Sequence, residues 1–343
     1  MQTPEWQRLL ASAFNDLPSL LDYLDLDAAH WPDAQPAIGT FNLRVPRGFA
    51  DLMRRGDPQD PLLRQVLPLA KEMDAQVGFS SDPVGDSEAQ ANPGLLHKYR
   101  GRVLIVATGA CAVHCRYCFR RYYPYGEGSA TPRQWVEILD YLRAHPEVEE
   151  VILSGGDPLM LSDEKLGHWL AQFERLPQLK RLRIHTRLPV VLSQRVTPAL
   201  LQYLSQGRFE PVIVIHANHA NELSPQVAKS LGRLKTAGTT LLNQSVLLRG
   251  VNDDIETLTT LSERLFQIGV LPYYLHLLDR VAGSAHFEVE ERDAHNLQRQ
   301  LLARLPGYLV PRMVREIAGE YAKTPVWMLN PDHSPGCQEG KIS

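Results

Sequence analysis

Short aliphatic runs that recur along the chain, separated by amphipathic stretches opening on helix-start signals, predict an α/β fold. The runs lie at residues 103–107, 151–154, 182–186, 212–216, 241–248 and 271–278. Each reads as a strand buried on both faces, the habit of a parallel sheet. Between them, Thr131-Pro132 precedes an amphipathic stretch at 135–142, Ser162-Asp163-Glu164 one at 166–173, and Ser224-Pro225 one at 227–234. A hydroxyl side chain followed by Pro or acidic residues is an N-cap followed by a favourable first turn. A repeat of roughly 30 residues per strand points to βαβ units curling into a barrel. Six such runs are too few for a complete eight-stranded barrel, so the expected architecture is an open, partial (β/α)6 TIM-like barrel.

Residues 1–96 have a different character. They are rich in Pro, Asp and Leu, carry Trp6 and Trp31, and show helical spacing around 62–73 before a loop-like stretch at 80–94. The expected division is a helical N-terminal region, 1–96, packed on a barrel, 97–329, with an aperiodic C-terminal tail at 330–343.

Composition narrows the function classes. The chain has 343 residues, 44% of them hydrophobic, and no apolar run of membrane-spanning length. Its N-terminus lacks the basic-then-apolar pattern of a secretion signal. A net charge of −3 with both signs interspersed leaves no electrostatic footprint for nucleic acid. Arg181, Arg183 and Arg187 read as solvated faces and helix ends. Three clustered cysteines and a lone Cys337 make no disulfide framework, so a reducing cytoplasm is the expected compartment.

Chemistry is concentrated after the first run. Cys111, Cys115 and Cys118 form C-x3-C-x2-C, so that three of only four cysteines fall within eight residues. Three thiolates on one loop can hold three irons of a 4Fe-4S cube, leaving the fourth iron open to bind and reduce a substrate or cosubstrate. The stretch resembles the radical S-adenosylmethionine enzymes. Further polar groups gather where the next runs end, the rim on which parallel barrels place their sites. Gly155 and Gly156 let backbone approach a ligand closely, and with Asp157 they offer amides to the amino-acid end of S-adenosylmethionine. His216-Ala-Asn-His219 and Asn243-Gln-Ser245 follow on the same rim.

From 97 to 325 the chain resembles the lysine 2,3-aminomutase family of radical S-adenosylmethionine, pyridoxal phosphate (PLP) enzymes. The resemblance is carried, in order, by His-Lys-Tyr-Arg-Gly-Arg-Val-Leu at 97–104, Cys-Arg-Tyr-Cys-Phe-Arg-Arg at 115–121, Leu-Ser-Gly-Gly-Asp-Pro at 153–158, Asn-Gln-Ser-Val-Leu-Leu-Arg-Gly-Val-Asn-Asp at 243–253, Leu-Asp-Arg-Val-Ala-Gly-Ser-Ala-His-Phe at 278–287 and Ala-Lys-Thr-Pro-Val at 322–326. It implies Lys323 as the PLP-linked lysine, Arg120 as the group for the substrate α-carboxylate, and Asp279 with Glu316 as partners of the distal ammonium of lysine. It further implies Arg102 near the PLP phosphate, and His216 and Gln244 near S-adenosylmethionine. The implied reaction uses a 5′-deoxyadenosyl radical to take hydrogen from lysine held as a PLP aldimine, after which nitrogen shifts from C2 to C3.

Two departures from larger relatives stand out. Asp254 replaces a zinc-binding cysteine and the terminal cysteine group is missing, so neither structural zinc nor the tetramer built on that extension is expected. Glu316 stands where the family carries Asp. The short form resembles the bacterial enzyme that makes (R)-β-lysine for elongation factor P, which implies an electron donor such as flavodoxin, a functional link to an elongation factor P lysyl-ligase, and room for a homodimer. Two alternatives compete. A glutamate aminomutase would want a cationic or neutral distal pocket, and a non-catalytic iron-sulfur sensor or electron-transfer protein would have no use for Lys323.

Overall fold

Pro93-Gly94 and Arg100-Gly101 turn the chain back on itself twice before the first predicted strand. Gly94 has φ +81° and Gly101 φ +73°, values that a side chain resists. In the computed structural model, which describes residues 3–31, 34–128 and 131–326, these turns join β1 (Gln90–Asn92), β2 (Leu95–Tyr99) and β3 (Arg102–Thr108) into an antiparallel meander. The loop expected at 80–94 therefore ends in a strand. The expected tail at 330–343, with Cys337, lies outside the described residues.

From β3 the sheet runs parallel and in chain order through β4 (Glu150–Gly155), β5 (Arg181–Thr186), β6 (Val212–His216), β7 (Thr240–Val246), β8 (Leu271–His276) and β9 (Arg312–Arg315). A short hairpin strand, β10 (Thr324–Pro325), pairs antiparallel with β9. The sheet is open, the partial barrel expected, with all six predicted strands present. The added parallel strand β9 was not read from the sequence because its four residues begin and end on arginine. Every residue of β4 but the last is buried, the mark of a strand covered on both faces.

Crossover helices start at the expected caps Thr131, Ser162 and Ser224, and two more start at Thr197 and Asp254. Thr131, Ser162, Thr197, Ser224 and Asp254 each accept a backbone N–H from the first turn of Pro132–Ala144, Asp163–Phe173, Pro198–Ser205, Pro225–Thr236 and Ile255–Gln267. Asp254 acts as an N-cap, with Oδ1 2.9 Å from the Thr257 amide. The indoles of Trp135 and Trp169 stack at 4.1 Å and tie the first two of these helices together. Among the described residues no helix is long and apolar enough to cross a membrane.

The N-terminal region is built from short helices, among them Glu5–Ala11, Leu17–Tyr23, Gln35–Thr40 and Arg47–Ala50. The helical spacing around 62–73 resolves into two pieces, Pro61–Arg64 and a 3-10 turn at Ala70–Met73, because Pro68 cannot continue a helix between them. One buried apolar cluster runs from Trp6, Leu20 and Phe49 of this region into Ile105, Leu153 and Ile184 of the sheet. Its polar counterpart is Glu72, whose carboxylate takes Arg116 Nη2 at 2.7 Å and Arg121 Nη2 at 2.9 Å. Arg116 also donates to the carbonyls of Phe41 and Ala37. Glu72→Gln would leave two buried guanidinium groups short of a counter-charge, which costs about 3 to 5 kcal/mol. Urea unfolding should report a loss of that size, and a loss under about 1 kcal/mol would contradict the anchoring role.

Candidate active site

The loop after β3 is held from outside the barrel. His114 N donates to Arg44 O, His114 Nδ1 lies 2.8 Å from Asn42 O, and Arg116 N donates to Gln65 O. Between these anchors, Cys118 N donates to Cys115 O at 3.0 Å, and the turn presents three unbridged thiols, Cys111, Cys115 and Cys118. Each keeps some exposed area, yet Cys111 and Cys118 are ringed by protein atoms. Burial first, and neighbouring thiol groups second, push Cys111 well above its ordinary value and Cys118 up to about 11. These thiols would ionise on meeting a cationic metal partner. Among the described residues no three His, Cys, Asp or Glu side chains converge as one ion would require. A cube asks for something else, since each thiolate binds a different iron, and three soft donors on one loop fit it.

The Gly-Gly-Asp turn after β4 packs directly on that loop. A Cβ at Gly155 would lie 2.7 Å from Thr108 O, and one at Gly156 would lie 2.5 Å from Ala110 O. The Gly156 and Asp157 amides, expected to face a ligand, are taken by the Thr108 and Ala110 carbonyls. The glycines thus serve close approach of backbone to the cysteine loop. The Asp157 carboxylate is also enclosed, accepting from Thr186 Oγ1 at 2.7 Å and from the amides of Leu159, Arg187 and Leu188.

Farther round, His216 and Gln244 meet across β6 and β7, with the Gln244 amide 3.0 Å from His216 Nε2. Burial pushes His216 down to about 3, so its imidazole is neutral and accepts this bond. His185 lies beside it, the two ring centroids 6.2 Å apart.

The barrel interior holds a chain of charges alternating in sign. Arg120 Nε donates to Asp86 at 2.7 Å and Arg120 Nη1 to Ser154 Oγ at 3.1 Å. Lys98 Nζ lies 2.6 Å from the other Asp86 oxygen and 3.4 Å from Glu316, and Glu316 pairs with Lys323. Tyr99 Oη donates to Glu316 at 3.1 Å, and Arg102 at the start of β3 stacks its guanidinium 4.4 Å from the Tyr99 ring. The seven-residue spacing of Glu316 and Lys323 follows from topology, since they are the first and last residues of the connection between β9 and β10, beside the Arg315–Thr324 pair. Burial opposes ionisation of Glu316, but Lys323 and Lys98 outweigh it and hold the carboxyl at about 2.

Among the described residues Asp279, just past β8, has no such partner. Its Oδ1 is buried without a hydrogen bond, as are Nε2 of His276 and Nε2 of His185. Buried polar atoms left open in this way are what a bound ligand would satisfy. Burial first and Glu316 second push Asp279 up to about 7, against the pull of Lys323 and Lys98.

The structure thus brings Glu316 and Lys323 together directly, Arg120 to them through Asp86 and Lys98, Arg102 through Tyr99, and His216 with Gln244. Sequence reasoning missed Asp86, which lies in an aperiodic Asp- and Pro-rich stretch, and gave no role to Lys98, though it sits in one of the matching motifs. It also misjudged Arg187. Arg181 is exposed, and Arg183 is part-buried against Glu150, but Arg187 is 7% exposed and donates to Cys115 Sγ at 2.7 Å. Nothing in an arginine after a strand distinguishes a solvated end from a buried one.

Residues 105–261 match the model of the Radical SAM superfamily. The chain is 48% identical to the L-lysine 2,3-aminomutase of Escherichia coli (strain K12) over 94% of both chains. It is 48% identical to that of Haemophilus influenzae, over 93% of this chain and 94% of the relative. The L-lysine 2,3-aminomutase of Clostridium subterminale is 33% identical over 94% of this chain and 77% of its own length.

Asp279 offers a test of the charge arrangement. Its ordinary value is 3.8, so between about pH 4 and about pH 7 the native chain binds a proton that the unfolded chain lacks, and stability from this group falls as pH rises through that window. Glu316 runs the other way, its contribution present above about pH 4.5 and lost as pH falls toward about 2. Glu316→Gln removes a negative neighbour and leaves Lys323 without its carboxylate while Lys98 keeps only Asp86, so the Asp279 midpoint should drop. Infrared titration of its carboxyl band measures this, and an unchanged or raised midpoint would contradict the arrangement.

Proposed function

We propose that this chain, which belongs to the L-lysine 2,3-aminomutase family of radical S-adenosylmethionine enzymes, moves the α-amino group of free L-lysine to the neighbouring carbon and so makes β-lysine. The observation that carries the reading is the pairing of Lys323 with Glu316 beside the unpartnered Asp279, in an interior that also holds Arg120. When bound, a 4Fe-4S cluster with S-adenosylmethionine supplies a radical able to take hydrogen from an unactivated carbon, and PLP supplies a carbonyl carbon to hold the migrating nitrogen. Cys111, Cys115 and Cys118 would ligate the cluster, and His216 with Gln244 would line the S-adenosylmethionine site near the Gly155-Gly156 turn.

The remaining work belongs to the protein. Arg120 offers a planar fork for the α-carboxylate, and Asp86 and Ser154 hold that fork in place before substrate arrives. At the other end, the distal ammonium of lysine meets Asp279 and Glu316. An ammonium in a desolvated barrel requires such partners, since an unpaired buried charge costs several kcal/mol. Asp279 sits near its midpoint at neutral pH, and an arriving cation would draw its proton off and ionise it. Lys323 gives PLP its covalent attachment, while Arg102 lies on the Tyr99 side of the interior to meet the phosphate. Glutamate fits poorly, because its distal carboxylate would face Asp279 and Glu316. We place the reaction in the cytoplasm, fed by an electron donor such as flavodoxin and serving an elongation factor P lysyl-ligase, in a chain free to form a homodimer.

Lys323→Ala should abolish the PLP adduct trapped by borohydride reduction, and mass spectrometry finding that adduct on Lys98 instead would refute the assignment. Asp279→Asn removes a charge while keeping shape, and should cost about 2 to 4 kcal/mol in transition-state stabilisation, roughly 30-fold to 1000-fold in kcat/KM for lysine. Full activity in that variant, or a wild-type preference for glutamate over lysine, would show the acidic pocket to be misplaced.

A further inference from the structure

Arg187 follows β5 and turns inward under the cysteine loop. Its backbone N–H donates to Asp157 Oδ2 at 2.8 Å, which fixes where the side chain begins. Nη1 donates to Cys115 Sγ at 2.7 Å and also to Tyr117 Oη, while Nη2 donates to Gln65 Oε1 at 2.7 Å and Glu222 Oε2 at 3.0 Å. The ring of Phe49 lies 5.4 Å from the guanidinium carbon. Glu222 is fully buried, and its other oxygen accepts from Gln65 Nε2, Asn218 N and His219 N. Asn218 Nδ2 closes the net on Tyr117 and Gln65. Every member except Tyr117 and Cys115 comes from outside the cysteine loop, and none is needed to hold substrate.

This net treats the three sulfurs unequally. Among the described residues, Cys115 alone of the three takes a hydrogen bond from a charged side chain. The ion pair behind it is also oriented, with the cation on the sulfur and the carboxylate on the far side. A hydrogen bond to a ligand sulfur, and positive charge beside it, stabilise a cluster in its reduced and more negative state and raise its potential. Low dielectric around a buried pair strengthens both effects.

We propose that Arg187 is a positioning residue that locks Cys115 as a cluster ligand and raises the reduction potential of the cluster, with Glu222 moderating its charge. The inference rests on the assignment of the three cysteines to a 4Fe-4S cluster. Its distinctive consequence is a pair of opposite shifts. Arg187→Gln removes the cation and should move the cluster midpoint to more negative potential. Glu222→Gln removes the moderating anion while keeping the bonding shape, and should move it to more positive potential. Arg187→Lys keeps the charge, and its midpoint should lie closer to wild type than that of Arg187→Gln.

The test is a redox titration of the full chain, reconstituted anaerobically with iron and sulfide and followed by electron paramagnetic resonance, with iron content measured alongside. Opposite shifts in Arg187→Gln and Glu222→Gln support the inference. So does a cluster that is lost in Arg187→Gln but kept in Arg187→Lys, since charge at this position is then required for binding. Midpoints that do not move, or that move the same way in both variants, would overturn it, as would an Arg187→Lys protein behaving like Arg187→Gln. A wild-type chain that takes up no cluster would instead refute the underlying iron-sulfur assignment.

Discussion

Charge compensation inside the barrel governs the arrangement of the site. Arg120, Asp86, Lys98, Glu316 and Lys323 alternate in sign from one side of the interior to the other. A buried ion without a counter-ion costs several kcal/mol, so each member depends on its neighbours. The sheet delivers them from separate places. Asp86 precedes β1, Lys98 lies on β2, Arg120 ends the cysteine loop after β3, and the β9–β10 hairpin supplies the last two. A ligand carrying a carboxylate at one end and an ammonium at the other can enter such a chain by exchanging partners, without stripping any charge bare.

The N-terminal region has a corresponding purpose. Its carbonyls and side chains hold the cysteine loop at Arg44, Asn42, Gln65 and Glu72, while its apolar face joins the core of the sheet. A loop that must keep three sulfurs apart in a fixed pattern has no hydrogen-bonded ladder of its own, so its geometry must be imposed from both flanks. The helical region supplies one flank. The Gly155-Gly156 turn supplies the other, at a separation that only glycine allows.

Elements whose signals are local were legible in the sequence. Six parallel strands showed as aliphatic runs, the crossover helices announced themselves through Thr131, Ser162 and Ser224, and the C-x3-C-x2-C spacing identified its own chemistry. Elements defined by distant partners were not legible. Asp86 and Arg187 acquire meaning only when Lys98, Arg120, Cys115 and Glu222 are folded around them. Gly156 was read as facing a ligand because sequence cannot say which backbone a glycine approaches. The link between Glu316 and Lys323 came through resemblance, and the hairpin then explains why seven residues separate them.

The account centres on transfer of nitrogen between adjacent carbons of lysine. The most direct measurement supplies the anaerobically reconstituted chain with S-adenosylmethionine, a reductant, and lysine carrying heavy nitrogen only in its α-amino group, and follows the label by NMR. The account predicts heavy nitrogen on the third carbon of a β-amino acid product. Heavy nitrogen that stays on the second carbon while S-adenosylmethionine is consumed would contradict it.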